Sequence, residues 1–376
     1  MTHYQIVIIG AGPAGVSAGI KLQQSGLDCC IIEKAVFPRI KLCGGLITRK
    51  TIVALSELKL GAIDNNLACF QTNKVNIENC TSLVSSFECK IPFTLVERID
   101  FDYWLLTKYK ALGGKIIEGA CASQIISQSH TVVLNTGNKI GYDILIGADG
   151  IMGISSKYVG NTTTSRAFGI ETSIPTDCLV QYSQGITLDV GYLPDGYIWT
   201  FPKGLNTTIG LACSFRRDID YVRILKKYIS NKCSDSLRGK ITGSFLPYGM
   251  HRAKITHKCA NLLLIGDAAG YIDCVTGEGI YFAVRSGIIA ANAIIKNYSN
   301  NFDQIIPCYE KDCRSIIKLV NRSARFIALF YKHRATMLKI INGHSRPLAY
   351  ICDHQVSQYD YSFDLFKIVW DYFKQR

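Results

Sequence analysis

Residues 4–33, YQIVIIGAGPAGVSAGIKLQQSGLDCCIIE, decide the fold of this chain. The apolar run at residues 4–9 predicts a β-strand, residues 13–25 predict a helix, and residues 29–33 predict a second strand. A glycine-rich turn joins the first strand to the helix. Strand, turn, helix and strand in this order are typical of a βαβ unit in a parallel sheet.

The turn has the spacing Gly10-x-Gly12-x-x-Gly15. In a dinucleotide site the first glycine permits the tight turn, the second admits a pyrophosphate close to the backbone, and the third lets helix and strand pack closely. Glu33 follows at the spacing expected for an acid that binds ribose hydroxyls. Glycine-rich turns also occur for packing alone, but this context and Glu33 favour a dinucleotide site. The motif does not distinguish FAD from NAD.

A second element favours FAD. Residues 264–270, LIGDAAG, end another predicted strand, and residues 276–280, TGEGI, open a long predicted helix. The carboxylate of Asp267 can accept hydrogen bonds from ribityl hydroxyls, the glycines let a flat ring lie against the backbone, and the helix N-terminus favours a reduced, anionic flavin. One such turn is compatible with ordinary packing, but two in one chain favour a flavoprotein. The third motif, residues 147–150 (GADG), is explained equally well by an Asp-Gly turn.

The composition is that of a globular protein, with 376 residues, 48% apolar side chains and 19% charged ones. No apolar run approaches the ~20 residues of a membrane-spanning helix, and the first residues lack the features of a signal peptide. The 15 cysteines are scattered without a CxxC pair, so free thiols are expected and a zinc site is disfavoured. We therefore expect a cytoplasmic protein without a metal.

The net charge is +13. No basic run or known nucleic-acid-binding motif accompanies it, so nucleic acid is not an expected partner. Anionic lipid surfaces and phosphorylated ligands suit the charge equally well. Residues 314–341 predict an amphipathic, basic helix that either packs on the sheet or makes transient contact with a membrane surface, and packing is the preferred interpretation.

The expected fold class is α/β (α+β): a Rossmann-type FAD-binding domain, an inserted antiparallel-sheet substrate domain and a helical C-terminus. The alternating patterns of residues 70–95 and the Tyr-, Thr- and Ile-rich segments of residues 161–249 predict the antiparallel strands. The expected segments are 1–72, 92–160 and 250–300 for the FAD-binding domain, 73–91 and 161–249 for the substrate domain, and 301–376 for the helical region.

GAGPAG, GADG and GDAAG in this order resemble the p-hydroxybenzoate hydroxylase superfamily of flavoproteins. Within it, residues 37–45 (FPRIKLCGG), 196–204 (GYIWTFPKG) and 266–280 (GDAAGYIDCVTGEGI) resemble the geranylgeranyl reductase family. Residues 97–102, ERIDFD, match that family's Arg-x-x-Phe-Asp motif, in which the arginine, here Arg98, reaches the cofactor. The likeness covers roughly residues 4–300 and is specific through the combination of motifs.

The resemblance implies an FAD-dependent oxidoreductase that takes electrons from NAD(P)H or reduced ferredoxin and saturates isolated double bonds of prenyl lipids. Hydride would go to one alkene carbon and a proton to the other. The resemblance makes the Cys-Gly-Gly loop, Cys43, Gly44 and Gly45, the candidate catalytic segment. Cys43 is the candidate acid or positioning group near the flavin, although lone cysteines are often inert packing.

The resemblance also implies that Tyr197, Trp199 and Phe201 line the substrate cavity. Alternation places all three on one face of a strand, where they either line an apolar cavity or form the core of the inserted sheet. The expected cofactor-binding residues are Gly10, Gly12, Ala14, Gly15, Glu33, Lys34, Lys41, Cys43, Gly44, Arg98, Asp149, Gly150, Gly266, Asp267, Gly277, Glu278, Gly279 and Ile280.

Two places depart from the superfamily pattern. Where a serine and an arginine usually follow GADG, this chain has Gly153 and Ser156, which puts direct use of NADPH in doubt, and Lys157 is a candidate replacement. Where the loop between GDAAG and GEG usually carries proline, this chain has Cys274, which we expect to approach the flavin face near Cys43.

Two other functions are compatible with the sequence. A flavin-dependent monooxygenase or halogenase shares the fold, but residues 197–202, YIWTFP, match the halogenase motif Trp-x-Trp-x-Ile-Pro only in part. A non-catalytic FAD-binding protein would use the flavin structurally while it binds a ligand or a partner. The intact GDAAG and GEG motifs argue against that function without proving catalysis.

Overall fold

The computed structural model describes residues 1–61, 63, 67–160, 163–180, 184–233, 239–251, 261–343 and 349, and there the chain forms two sheets with helices packed around them. The first sheet contains β1 (Thr2–Ile9), β2 (Cys29–Glu33), β6 (Lys115–Glu118), β7 (Ala122–Ile126), β8 (Thr131–Leu134), β9 (Lys139–Gly147) and β15 (Leu262–Leu264). The second contains β3 (Leu46–Ile47), β4 (Ala68–Asn79), β5 (Ser82–Val96), β10 (Thr163–Pro175), β11 (Ile186–Asp189), β12 (Gly196–Lys203), β13 (Asn206–Ser214) and β14 (Thr242–His251). The helices are α1 (Pro13–Gln23), α2 (Arg49–Ser56), α3 (Arg98–Ala111), α4 (Ile154–Val159), α5 (Tyr221–Lys232), α6 (Ile280–Asn297), α7 (Ile305–Lys332) and α8 (Arg334–Gly343).

The first sheet confirms the predicted Rossmann-type arrangement. β1 runs parallel to β2 on one side and to β9 on the other, and β15 runs parallel to β9. In this register Ile9 lies beside both Ile32 and Gly147, and Gly147 lies beside Leu264. The carboxyl ends of β1, β9 and β15 therefore meet at one edge, which is where open α/β sheets bind ligands.

The second sheet has the strand order β14-β10-β13-β12-β11-β4-β5-β3. Its pairs are antiparallel, as expected, apart from the parallel pair of β11 and β4. β3, β4 and β5 carry this sheet past the boundaries at residues 72 and 92 that the sequence suggested. One face buries Ile198 and Leu211 against α5, and the opposite face presents Trp199 and Phe201.

α1 and α6 pack against each other and bury the apolar side chains of the first sheet. The two helices approach closely because Gly287 of α6 has no side chain. A Cβ there would lie 2.4 Å from the carbonyl oxygen of Ala14 and 3.1 Å from the amide nitrogen of Ala18. This contact fixes the position of α6, and with it the position of the loop that precedes α6.

Three features were not expected from the sequence. The basic helix predicted at residues 314–341 is two helices, α7 and α8, which meet at His333. α5 and the antiparallel pair of β7 and β8 were not predicted. Except for residue 349, the predicted helical region beyond residue 343 lies outside the described residues.

In the part of the chain that the structure describes, none of the helices has the length and apolar character needed to cross a membrane.

We expect Gly287→Ala to lower the free energy of unfolding by about 1–3 kcal/mol, because the added methyl group would overpack the contact between α1 and α6. Urea denaturation followed by circular dichroism measures the change. Asn292→Ala, on the exposed side of α6, is the matched control and should leave the stability unchanged or slightly higher. Equal stability of the two variants would contradict this account of the helix contact.

Candidate active site

The glycine-rich turn lies at the carboxyl end of β1, against the GADG turn. A Cβ on Gly10 would lie 2.4 Å from the carbonyl oxygen of Ala148, and one on Gly15 would lie 2.0 Å from the carbonyl oxygen of Gly10, so both glycines are required for packing. Gly12 differs, because it is the N-cap of α1 at φ −75° and a Cβ there would meet no atom within 4 Å. The open space at the positive end of α1 suits a pyrophosphate.

Glu33, at the end of β2, is tied to this turn. Its Oε2 accepts a hydrogen bond from the Ala11 amide at 2.7 Å, and its Oε1 accepts one from the Ala35 amide at 3.0 Å. Arg39 Nε lies 3.8 Å from Oε1 and, among the described residues, is buried without a hydrogen-bond partner. The carboxylate is thus oriented at the motif, where a ribose would bind, whereas the neighbouring Lys34 is exposed.

The GDAAG turn packs on the same end of α1. Gly266, at φ +56°, holds a position where a Cβ would lie 2.9 Å from the Cβ of Ala14. Burial raises the pKa of the Asp267 carboxyl, while Lys41 and Arg98 act in the opposite direction. Within the described part of the chain no side chain donates a hydrogen bond to this carboxylate. Its acceptor capacity therefore suits the hydroxyls of a ribityl chain.

The Cys-Gly-Gly loop joins the two sheets. The Cys43 amide donates a hydrogen bond to Glu171 Oε1 at 2.8 Å. A Cβ on Gly44 would lie 2.6 Å from the ring of Phe201, and one on Gly45, at φ +74°, would lie 2.0 Å from the carbonyl oxygen of Val96. Any larger side chain at Gly44 or Gly45 would push the loop off the second sheet.

Arg98 lies beside the Cys43 thiol in a network of buried charges. Its Nε and Nη2 donate hydrogen bonds to the two oxygens of Asp102 at 2.8 and 2.9 Å, and Arg39 Nη1 lies 3.2 Å from Asp102. Burial alone would lower the pKa of Arg98, but Asp102 and then Cys43 outweigh burial and raise it. The guanidinium next to the loop is therefore a fixed positive charge.

Tyr197, Trp199 and Phe201 lie along one face of β12, with ring centroids 6.2 and 6.4 Å apart. Trp199 and Phe201 are each 7% exposed and also contribute to the core of this sheet. Among the described residues, Trp199 Nε1 is a buried donor without a hydrogen-bond partner. The Tyr197 hydroxyl donates to the carbonyl of Thr276 at 2.6 Å, which connects the aromatic strand to the loop that precedes α6.

That loop carries the GEG motif, whose glycines and glutamate have different surroundings. A Cβ on Gly277 would lie 2.3 Å from the Tyr197 hydroxyl, and Gly279 is the N-cap of α6, which begins at the buried Ile280. The Glu278 carboxylate points towards α2, where Lys50 forms an ion pair with it. The sequence assigned Glu278 to cofactor binding, and in the structure its carboxylate connects this loop to α2.

The GADG turn explains the departure at residue 153. Asp149 accepts hydrogen bonds from the Ser155 hydroxyl and, at 3.0 Å, from the Ser155 amide. A Cβ on Gly153 would lie 2.1 Å from Asp149 Cγ, so Asp149 occupies the space that a side chain would need. Burial raises the pKa of Asp149, opposed by these hydrogen bonds. Gly150 borders open space, and Lys157 is exposed.

Cys274 packs beneath α7. Its amide donates a hydrogen bond to the Ser323 hydroxyl at 3.0 Å, its thiol contacts the carbonyl of Gly249 at 3.8 Å, and it belongs to an apolar cluster with Ile327 and Phe330. Burial raises the pKa of its thiol to about 12. Contact with Cys43, which the sequence led us to expect, is not among these interactions.

These residues fit FAD as a group. Within the described ranges, Gly12 borders open space, the Asp267 carboxylate receives no side-chain hydrogen bond, and the Trp199 indole nitrogen has no acceptor. A dinucleotide with a polar ring can fill this space and bind both groups. Sequence reasoning missed Glu171 and Lys50, which carry no local signal because their partners are distant in sequence. The spacing of four residues between Arg98 and Asp102 was a signal for an ion pair on one helix face.

Comparisons of sequence agree with the site. The family profile described as pyridine nucleotide-disulphide oxidoreductase matches residues 4–150. An uncharacterised protein of Methanosarcina barkeri is 31% identical over 306 residues, which are 78% of this chain and 75% of that protein. A digeranylgeranylglycerophospholipid reductase of Methanocella arvoryzae is 26% identical over 312 residues, 78% of each chain.

Solved structures share the fold. A geranylgeranyl bacteriochlorophyll reductase-like protein of Thermoplasma acidophilum superimposes with a TM-score of 0.75 and 20% identity, over 98% of this chain and 96% of that one. A flavin-dependent brominase superimposes with a TM-score of 0.71 and 19% identity over the whole of both chains. The architecture therefore occurs both in a protein described as reductase-like and in a brominase.

We expect Gly12→Ala to fold with the stability of the wild-type apoprotein but to bind FAD about tenfold or more weakly, because its methyl group would occupy only the open space in front of α1. Fluorescence titration of the apoprotein with FAD measures the affinity. Gly15→Ala is the contrasting variant and should destabilise the apoprotein itself. Wild-type affinity in Gly12→Ala would show that the pyrophosphate binds elsewhere.

Proposed function

We propose that the chain is an FAD-dependent oxidoreductase of the geranylgeranyl reductase type, which reduces carbon–carbon double bonds of a prenyl or other isoprenoid lipid. The observation that carries the proposal is the packing of the Cys-Gly-Gly loop on the aromatic strand, with Gly44 against Phe201 and close to Trp199. A flavin held at this loop would face an apolar, aromatic surface, which suits a prenyl chain.

In this proposal the chain holds FAD along one edge of the first sheet. Gly12 and the N-terminus of α1 bind the pyrophosphate, and Glu33 binds the adenosine ribose. Asp267 accepts hydrogen bonds from the ribityl chain, while the N-terminus of α6 and the fixed charge of Arg98 lower the energy of added negative charge. When bound, the cofactor supplies the hydride for one alkene carbon.

The protein must deliver a proton to the second carbon and keep water away from the alkene. We assign Cys43 either as the acid that donates this proton or as the group that positions the acid. Its loop is fixed by the hydrogen bond from its own amide to Glu171 and lies beside Arg98. Tyr197, Trp199 and Phe201 orient the apolar chain and exclude water.

The electron donor is NAD(P)H or reduced ferredoxin. The superfamily pattern has a serine and an arginine after the GADG turn. Here Asp149 fills the space next to Gly153, and Ser156 is buried. Gly153 and Ser156 therefore support a nicotinamide nucleotide as the electron donor less strongly than the usual serine and arginine would. A test with each donor under anaerobic conditions separates the two.

A flavin-dependent halogenase or monooxygenase is the alternative, favoured by the structural likeness to a brominase. Such an enzyme would react with oxygen while reduced and form a hydroperoxide, whereas a reductase would not accumulate one. Stopped-flow absorbance of the reduced protein mixed with oxygen distinguishes the two.

We expect anaerobic incubation with a panel of prenylated lipids and a reductant to give products that are heavier by two hydrogens per double bond reduced, measured by mass spectrometry. Cys43→Ala should bind FAD normally and lose about 10²-fold of this rate if the thiol donates the proton. Lipids of unchanged mass with both donors, together with a long-lived hydroperoxide, would contradict the reductase function and support the monooxygenase.

Transient membrane contact is part of the same proposal, and α7 offers a surface for it. Arg314, Lys318, Arg325 and Lys332 are exposed and, at spacings of four and seven residues, occupy a sector of the helix about 40° wide. The exposed Leu329 lies beside this sector. Neither α8 nor the part of α7 from residue 314 onward contains an Asp or Glu. Such a surface attracts anionic lipid headgroups.

We expect the protein to sediment with vesicles that contain anionic phospholipid and to be released at high salt, because exposed charges are screened. Lys318→Glu with Arg325→Glu should abolish this binding. Lys139→Glu with Lys226→Glu, at exposed positions elsewhere, is the control with the same net charge and should bind like the wild type. Equal loss in both double variants would mean that only net charge matters and that α7 is not the contact surface.

A further inference from the structure

Three ionisable side chains meet where α2 contacts the loop that precedes α6. Lys50 of α2 forms an ion pair with Glu278, and Thr48, the N-cap of α2, donates a hydrogen bond to the other oxygen of Glu278 at 2.5 Å. Asp273 is close enough for its charge to stabilise that of Lys50. The side chains of Lys50 and Glu278 are 11% and 6% exposed, and Asp273 is 1% exposed. Buried charges of this kind persist only when they are paired.

Asp273 also shapes the loop itself. Its Oδ1 accepts hydrogen bonds from the amides of Val275 at 2.8 Å and Thr276 at 3.2 Å, and its carbonyl accepts one from the amide of Gly277 at 2.8 Å. On the other side, the Tyr197 hydroxyl donates to the carbonyl of Thr276. The loop is thus held between the aromatic strand and α2, and its backbone is fixed where it enters α6.

The charges in this cluster do not cancel when all three groups are ionised. Two carboxylates and one ammonium leave one net negative charge, which becomes zero when Asp273 binds a proton. Burial raises the pKa of Asp273 to about 6, against the effects of Lys50 and the loop amides, and Glu278 adds to the increase. Burial disfavours the charged form of Lys50, but Glu278 and Asp273 outweigh it and raise the pKa of Lys50.

Other ionisable groups near Asp273 stay neutral around pH 7. Burial raises the pKa of the Tyr197 hydroxyl, and Asp273 raises it further. Burial likewise raises the pKa of the Cys274 thiol to about 12. Asp273, with its pKa near 6, therefore changes charge between pH 5 and pH 8, and it does so close to the N-terminal end of α6.

We propose that Asp273 and Lys50 are positioning residues that set the reduction potential of the bound flavin by controlling the charge at the N-terminus of α6. Adding electrons to a flavin beside this helix end creates negative charge there. An ionised Asp273 opposes that charge, and Lys50 favours it. The proposal rests on the assignment of residues 266–279 to the flavin, which is part of the proposed function, and is independent of the substrate.

The test is the midpoint potential of bound FAD at pH 5.5 and pH 8, measured by anaerobic reductive titration against reference dyes. Asp273→Asn keeps an acceptor oxygen for the loop amides and removes the charge. At pH 8 it should raise the potential above that of the wild type. At pH 5.5 the difference should be several-fold smaller, because most of the Asp273 in the wild type is then protonated. Lys50→Met should lower the potential at pH 8.

Lys232→Met is the matched control. Lys232 forms a similarly buried pair with Glu78, at 2.7 Å and with side-chain exposures of 16% and 11%, but on α5 and β4 of the second sheet. It should lower the thermal stability and leave the flavin potential unchanged. If Lys50→Met does not fold, Lys50→Arg takes its place and is compared with Asp273→Asn. Lys50→Arg keeps the positive charge, so its flavin potential should equal that of the wild type.

Unchanged potentials in Asp273→Asn at pH 8 overturn the proposal, as does a shift of equal size at both pH values. A loss of thermal stability like that of Lys232→Met, with a wild-type potential, would mean that the cluster is only structural and would also overturn it. The titration needs no lipid, so failure of the lipid panel would refute the proposed substrate alone. A purified protein that binds no FAD would refute the proposed function itself.

Discussion

The site depends on close contacts at glycines, which are possible only because glycine has no side chain. Gly10 lies against the carbonyl of Ala148, and Gly44 lies against the ring of Phe201, with would-be Cβ distances of 2.4 and 2.6 Å. The first contact joins two motifs that are more than a hundred residues apart, and the second joins the Cys-Gly-Gly loop to β12. Because native interiors are close-packed, even one methyl group at these points would separate the segments.

Some charged and polar groups of the site have partners within the described part of the protein, and others do not. Arg98 is paired with Asp102, and Lys50 with Glu278, so these charges need no ligand. Among the described residues, Trp199 Nε1 is buried without a hydrogen-bond partner. In the same part of the chain, no side chain donates a hydrogen bond to the Asp267 carboxylate, and burial raises its pKa. Buried polar groups are costly when unpaired. Asp267 follows β15 of the first sheet, and Trp199 lies on β12 of the second, so a polar cofactor that reached both would satisfy both.

Local signals predicted much of this architecture. The strand at residues 29–33 was predicted with its observed ends, because an apolar run and a fixed turn spacing are properties of neighbouring residues. The ion pair of Lys50 was not predicted, because its partner Glu278 is 228 positions away and no pattern near either residue records the contact. Cys274 is a different case. Its position within a flavin motif suggested the flavin face, whereas packing against α7 decides its surroundings.

The most direct measurement of the central claim is a crystal structure of the protein with FAD and a prenyl lipid bound. The account predicts the pyrophosphate in front of Gly12, the flavin ring between Gly44 and residues 266–279, and the apolar chain against Trp199 and Phe201. A flavin ring bound away from the Cys-Gly-Gly loop would contradict it. So would a lipid chain that leaves the aromatic face of β12 covered by protein.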